Sequence, residues 1–409
     1  MPGTSQPAMK PGLLNARNVL LLVGITLQLT WYALLAAQTL ADPAALKQVD
    51  YVAIYTGGYI ARFESPSREY DLALQQQVEQ QTAGAGALSR FYPYHHPPLL
   101  IHLLEWTTSQ DYYASYLRWI ACMLVFHLAA LGVLVHLQRR LGWDSSSIAI
   151  LFISGLLFYP AITSYLKGQD ATFLLLAVSL WMYGVTNEDD RLAGLGLALA
   201  TVRPQLAVPL AIPFLFNRRR VLLWFLIGSA AVLVYAVLSI GFSGLRDFVN
   251  LLMFSGSGLG VDVDRMSTLA GATVRAFPHI DPAALHLVEY GGLAAATVAM
   301  CVLWRRSPAI DQRHVGTAIL LGMFTSPHMN DHDLTLWLIP ALGGVITLSR
   351  EETIPKKYAT LLPLLVSVVL MLDGIVQVRA VIYVVMLALG VLLWHPVLVK
   401  RPHVEPAPG

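Results

Sequence analysis

The sequence predicts an all-α polytopic membrane protein: one integral membrane domain over residues 1–409, with about twelve membrane helices and half-helices at ~20 residues per full span. Three observations carry this. Hydrophobic side chains make up 56% of the 409 residues and charged ones only 13%, where a soluble domain carries roughly 25% charged. Apolar runs almost free of charge recur along the chain at about the length of a span. Lysines and arginines collect in short segments on one side of those runs, as cytoplasmic loops require. The same composition excludes a nucleic-acid binder, a disulfide-stapled secreted domain and an ordinary cytosolic enzyme. The two cysteines, Cys122 and Cys301, both sit inside apolar runs, so no zinc ligand set or disulfide framework is readable.

The first run, Asn18 to Ala41, follows Lys10 and Arg17. Its apolar core exceeds the ~7–15 residues of a signal peptide, which predicts an uncleaved helix entering from the cytoplasm. A polar stretch, 42–114, comes next. Further runs lie at 119–138, 145–166, 171–187, 221–241, 285–304, 314–326, 334–348, 358–372 and 380–396. The segment from Leu192 to Asn217 is broken by Arg203-Pro204. As a single span it would place Arg218–Arg220, Arg305, Arg306 and Arg313 outside; as two half-spans it keeps them inside, and the positive-inside rule selects the second. Halves of ~11–13 residues reach only ~18 Å, short of the ~30 Å hydrocarbon core. Their turn is therefore expected at membrane depth, beside a wet cavity. Both termini are then cytoplasmic, in a multi-pass protein of the plasma (inner) membrane.

The outer side receives two long loops, 42–114 and 242–284, whose aromatics, prolines and apolar stretches predict folded structure. Gln75-Gln76-Gln77 and Thr82–Gly86 read as a flexible tip, and Leu99–Trp106, after Pro97-Pro98, as an amphipathic helix at the interface. Reactive side chains collect on the same side: Asp50 past the first span, His95 and His96, Lys167-Gly168-Gln169-Asp170, Arg203, and His328 to Asp333. Ionisable groups at a membrane boundary are functional candidates because they are costly there.

One acid, several cations and a His/Asp cluster suit transfer from a membrane-bound phosphodiester to a hydroxyl. The carboxylate takes the hydroxyl proton and cations stabilise the charge growing on the departing phosphate. No second carboxylic acid is needed, unlike in hydrolytic glycosidases. Plainer roles stand beside these. Asp50 is also placed to cap a helix starting at Tyr51. Arg203 could pair with an acid for stability, Lys167 could anchor at headgroups, and His328 and His332 could cap the span that follows. His95-His96 with Asp331-His332-Asp333 lacks metal-site spacing, and Gly57-Gly58 lacks the GxxxxGK pattern of a phosphate loop.

Asp50-Tyr51-Val52-Ala53-Ile54-Tyr55-Thr56-Gly57-Gly58, running on to Tyr70-Asp71, resembles the start of the first outer loop in glycosyltransferase family 87. These are polyprenyl-phosphate-mannose-dependent mannosyltransferases of the GT-C superfamily. Tyr92 to Pro98, Gly168-Gln169, Arg203-Pro204 (where the family usually has Lys-Pro) and Ser326-Pro327 to His332 match in the same order. The resemblance covers roughly residues 18–350.

That resemblance implies a GT-C-type bundle and an inverting transfer of mannose or a related hexose from a polyprenyl-phosphate sugar to a lipid-linked or glycan acceptor. It implies no metal and no cofactor beyond the lipid-linked donor. Asp50 takes the general-base position. Arg203, His332, Lys167 and Gln169 fall to the donor phosphate and sugar, with Arg203 bringing a planar fork in place of an ammonium. Tyr55, His95, His96 and Asp331 are candidates for acceptor contact or for supporting these groups. Asp333 departs from relatives that carry a second histidine. The alternative is a transporter or flippase of an isoprenoid-linked sugar, since interrupted half-spans with a buried arginine also occur there.

Overall fold

Each apolar run becomes a helix because hydrocarbon offers no partner for backbone groups, so they must pair within the segment. A computed structural model describes residues 16–42, 45–84, 91–255, 263–350 and 354–399, and among them there is no strand. Lys10, Lys400 and Arg401, part of the basis for placing both termini in the cytoplasm, lie outside the described residues. So do residues 85 and 86, the end of the expected flexible tip.

The helices are α1 (Ala16–Ala41), α2 (Tyr51–Phe63), α3 (Leu72–Ala83), α4 (Ile101–Thr107), α5 (Tyr112–Arg140), α6 (Ser145–Leu156), α7 (Tyr159–Lys167), α8 (Ala171–Thr186) and α9 (Asp190–Leu199). They continue as α10 (Pro204–Ala211), α11 (Arg219–Ser255), α12 (Leu269–Ala276), α13 (Pro282–Arg306), α14 (Gln312–Thr325), α15 (Leu338–Arg350), α16 (Lys356–Ala359), α17 (Leu362–Val376) and α18 (Ala380–Val399). Among the described residues, 7 helical segments are long and apolar enough to cross a membrane, and three shorter apolar ones cover 171–186, 204–215 and 380–394. Helices α9 and α14 occupy the two remaining runs, so the chain is an all-α polytopic membrane protein.

At the centre, α8 packs between α5 and α9, and α9 lies along α11. Trp181, Leu174 and Leu197 are fully buried there. Apolar side chains remain exposed on the outward faces of α1, α5, α11, α13 and α18, among them Leu22, Val125, Leu238, Val298 and Leu387. In water such a surface would be an aggregation hazard; in a bilayer it is the lipid face.

Two breaks have local causes. Pro160 in the first turn of α7 separates it from α6, and the Leu157 carbonyl at the break accepts from the Tyr32 hydroxyl at 2.6 Å and from the Gln28 amide at 3.2 Å. That polar bridge ties α1 to the bundle. Helix α11 kinks at Gly241, whose φ of 70 is readily reached only by glycine, and then runs on to Ser255, well past the expected end of the span at 241.

Between α1 and α5 the chain folds into α2, α3 and α4. Gln75 is the clear correction to the expected flexible tip: it is fully buried in α3, its amide donating to the Glu69 carbonyl at 2.7 Å and its carbonyl oxygen accepting from the Tyr94 N–H at 2.9 Å. Gly57 and Gly58 let other chain segments press onto α2, since an added Cβ would sit 2.7 Å from the Tyr94 ring or against the Thr108 hydroxyl. Helix α4 lies on α2, with Ile101 and Leu104 buried and Trp106 outward.

Candidate active site

Asp50 stands at the N-terminal turn of α2, following a short 3₁₀ turn at Ala45–Gln48. Its side chain makes no capping bond, so the plain helix-cap role does not apply. Instead Oδ2 accepts from Gln169 Nε2 at 3.0 Å, a contact bridging 119 positions of sequence. Among the described residues Asp50 Oδ1 has no hydrogen-bond partner.

Gln169 belongs to the tight turn between α7 and α8. Gly168 closes α7 in the left-handed conformation, φ 69. A Cβ there would lie 2.5 Å from Tyr51 Cβ, so the turn rests directly on the residue after Asp50. Helix α5 clamps the turn from behind: Trp119 Nε1 donates to the Gly168 carbonyl at 2.7 Å and the Tyr116 hydroxyl to the Tyr165 carbonyl at 3.0 Å. Lys167, at the end of α7, has no hydrogen bond or ion pair among the described residues.

The next residue, Asp170, anchors the turn from within. Its side chain is 1% exposed, and Arg203 reaches both carboxylate oxygens, Nη2 to Oδ1 at 2.7 Å and Nη1 to Oδ2 at 3.3 Å. His96 Nδ1 lies 2.9 Å from Oδ2 and 3.0 Å from Arg203 Nη1. Burial raises the Asp170 pKa, but Arg203 and then His96 outweigh it and hold the carboxyl below its ordinary range. Arg203 comes from the expected interruption: a 3₁₀ turn, Ala200–Val202, ends α9, and Pro204 begins α10. A proline at that position gives up only an N–H that the first helical turn leaves unpaired.

The third part of the site is the 3₁₀ segment Asp331–Trp337, packed on α7 and α8. Asp333 Oδ2 accepts from the Asn330 N–H at 2.9 Å, and Asp333 Oδ1 lies 3.9 Å from Arg203. His332 is buried, with Nε2 3.6 Å from Asp333 Oδ2 and Nδ1 without a partner. The charges of Lys167 and Asp50 both act on this ring. His95 stacks edge-on against His328, centroids 5.6 Å apart. Burial and the neighbouring rings push His95 down to about 3, and burial pushes His328 down to about 4, so both are neutral.

The fold thus brings Asp50 onto Gln169, with His332 near enough for the charges of Asp50 and Lys167 to act on its ring. Arg203 and His96 meet at Asp170. Two other candidates go elsewhere. Asp331 accepts from Arg379 at 2.6 Å and Ser267 at 3.0 Å, and the Tyr55 hydroxyl donates to the Ser109 carbonyl at 2.9 Å within a tyrosine cluster. Asp170 and Gly168 were the anchors that sequence reasoning undervalued; the usable signal was an acid between two spans with an arginine in a later interruption. Among the described residues no three His, Cys, Asp or Glu side chains converge as metal ligands.

The family profile of glycosyltransferase family 87 matches residues 94–327, more than half of the chain. The matched stretch contains His96, Lys167 to Asp170 and Arg203; His332 lies five residues after it and Asp50 44 residues before it. No curated protein and no solved structure matches the chain. The chain therefore belongs to glycosyltransferase family 87 and is a membrane glycosyltransferase.

Proposed function

We propose that this protein transfers mannose or a related hexose from a polyprenyl-phosphate donor to a hydroxyl of a lipid-linked or glycan acceptor, with inversion, at the extracytoplasmic face of the plasma membrane. The single observation that supports it best is the Asp50–Gln169 contact. It holds one carboxylate oxygen and leaves the other available, beside an unpaired lysine and an unpartnered histidine nitrogen.

In this mechanism Asp50 Oδ1 takes the proton of the acceptor hydroxyl as its oxygen attacks the sugar C1. The C1–O bond to phosphate breaks, and polyprenyl phosphate leaves with one additional negative charge. Lys167 and His332 Nδ1 face that growing charge. Arg203 already engages Asp170 through two nitrogens. Its part is therefore to fix the turn that carries Lys167 and Gln169, and to add positive field. A transporter of an isoprenoid-linked sugar would need no base held in this way, and family membership weighs against it.

Membranes carrying Asp50→Asn, supplied with radiolabelled polyprenyl-phosphate mannose, should lose transfer by about 10²–10⁴-fold at normal expression. Undiminished product formation would overturn the role of Asp50. Lys167→Ala should raise the donor KM more than the acceptor KM.

A further inference from the structure

A second feature opens between α2, α3 and the start of α5. A cleft of about 580 Å³ is lined by residues that include Lys47, Tyr55, Tyr59, Gln81, Gln110 and Tyr113. Its size lies within the roughly 300–1,000 Å³ of small-molecule sites.

The lining combines rigid ring faces with free polar tips. Tyr55 is held by its bond to the Ser109 carbonyl, and its ring packs 4.8 Å from that of Tyr112, whose own hydroxyl donates to the Leu46 carbonyl at 2.8 Å. These aromatics cannot turn away to close the cleft. Among the described residues, the side-chain polar atoms of Lys47, Tyr59, Gln81, Gln110 and Tyr113 have no hydrogen-bond or ion-pair partner. Fixed aromatic faces beside free amide, hydroxyl and ammonium groups match a sugar, which offers C–H faces to stack and hydroxyls to bond. A lipid tail would strip water from Lys47, Gln81 and Gln110 and return nothing to them.

Two residues of the cleft wall flank Asp50 along the chain. Lys47 belongs to the 3₁₀ turn just before it, and Tyr55 stands one helical turn beyond Tyr51, ~6 Å along α2. We infer that this cleft is a saccharide-binding site that takes a short, neutral oligosaccharide and presents its terminal hydroxyl to Asp50. The acceptor role rests on the transferase function proposed above; the binding of saccharide does not.

The test uses the full chain in lipid nanodiscs with mannotriose as probe, followed by saturation-transfer NMR, and the same variants in the transfer assay. Tyr59→Ala with Tyr113→Ala removes a half-buried ring that packs against Tyr55 and Phe63 and an exposed one, and thermal unfolding of the double variant checks that it stays folded. Binding should weaken about tenfold, ~1.4 kcal/mol. The acceptor KM should rise with kcat and donor KM nearly unchanged. Gln110→Ala should weaken binding, and Gln110→Asn should retain part of it. Mannotriose binding equally well to the double variant, or not binding the wild-type protein at millimolar concentration, would overturn the assignment. Binding lost in the variants while the wild type transfers no sugar keeps the saccharide site and removes its acceptor role. Transfer with an unchanged acceptor KM overturns the acceptor role of the cleft and leaves the transferase function standing.

Discussion

Arg203→Ala tests the anchor of the site most directly. The substitution strips Asp170, whose side chain is 1% exposed, of contacts at 2.7 and 3.3 Å and leaves it with His96 alone. Removing one partner of a buried pair costs ~3–5 kcal/mol. The carboxylate can escape part of that penalty by protonating. At pH 7, against an ordinary pKa of about 3.9, protonation costs ~4 kcal/mol at 1.36 kcal/mol per pH unit, so the loss is capped near that figure. At pH 5 the cap falls to ~1.5 kcal/mol by the same relation. The deficit of the variant should therefore shrink by more than half on acidification. The assay is unfolding in mixed micelles followed by tryptophan fluorescence, at both pH values, with Asp170→Asn and the double variant completing a cycle. Arg203→Lys should recover only part, because an ammonium cannot span both oxygens. A loss below about 1 kcal/mol, the range of surface bridges, or a deficit unchanged by pH, would refute the buried-anchor account.

Gly168→Ala should destabilise the protein by at least ~1–3 kcal/mol, the cost of a non-glycine left-handed residue. It should also abolish transfer, since its Cβ would lie 2.5 Å from Tyr51 Cβ; thermal unfolding and the radiolabel assay check both. His95 and His328, held down to about 3 and about 4, bind fewer protons folded than unfolded. Their contribution to stability is complete above their ordinary pKa near 6.5 and is lost as pH falls through the folded values. The double variant His95→Gln/His328→Gln should flatten that acid limb in an unfolding series from pH 7 to 4. Asp331→Asn should leave donor KM nearly unchanged while lowering stability, because its partners are Arg379 and Ser267; steady-state kinetics at varied donor checks it.

The spans were legible because hydropathy is read locally, and the Arg203-Pro204 interruption because proline ends helices from any context. Helix α11 was cut short at 241 because Arg246 and Asp247 end the uncharged run. Its continuation is held by Phe248, buried against Tyr70 at 4.9 Å, a contact no local window contains. The same limit hid Gln75: three glutamines in a row read as solvated, and only Glu69 and Tyr94 make the first of them a core residue. Asp50 was readable as an acid in the right place, but its choice between capping α2 and meeting Gln169 is a tertiary fact. Asp170 was harder still, since its partners lie 33 and 74 residues away.

The order of the chain gives the buried ion network a consequence for biogenesis. His96, Asp170 and Arg203 are all synthesised before α11 begins, so the anchor can close while the last third of the protein is still on the ribosome. His332 arrives only after α14 has been inserted. The ion anchor can thus form before the segment that packs on α7 and α8 has been made. Defects at Asp170 or Arg203 should therefore meet quality control earlier in synthesis than defects in the segment around His332.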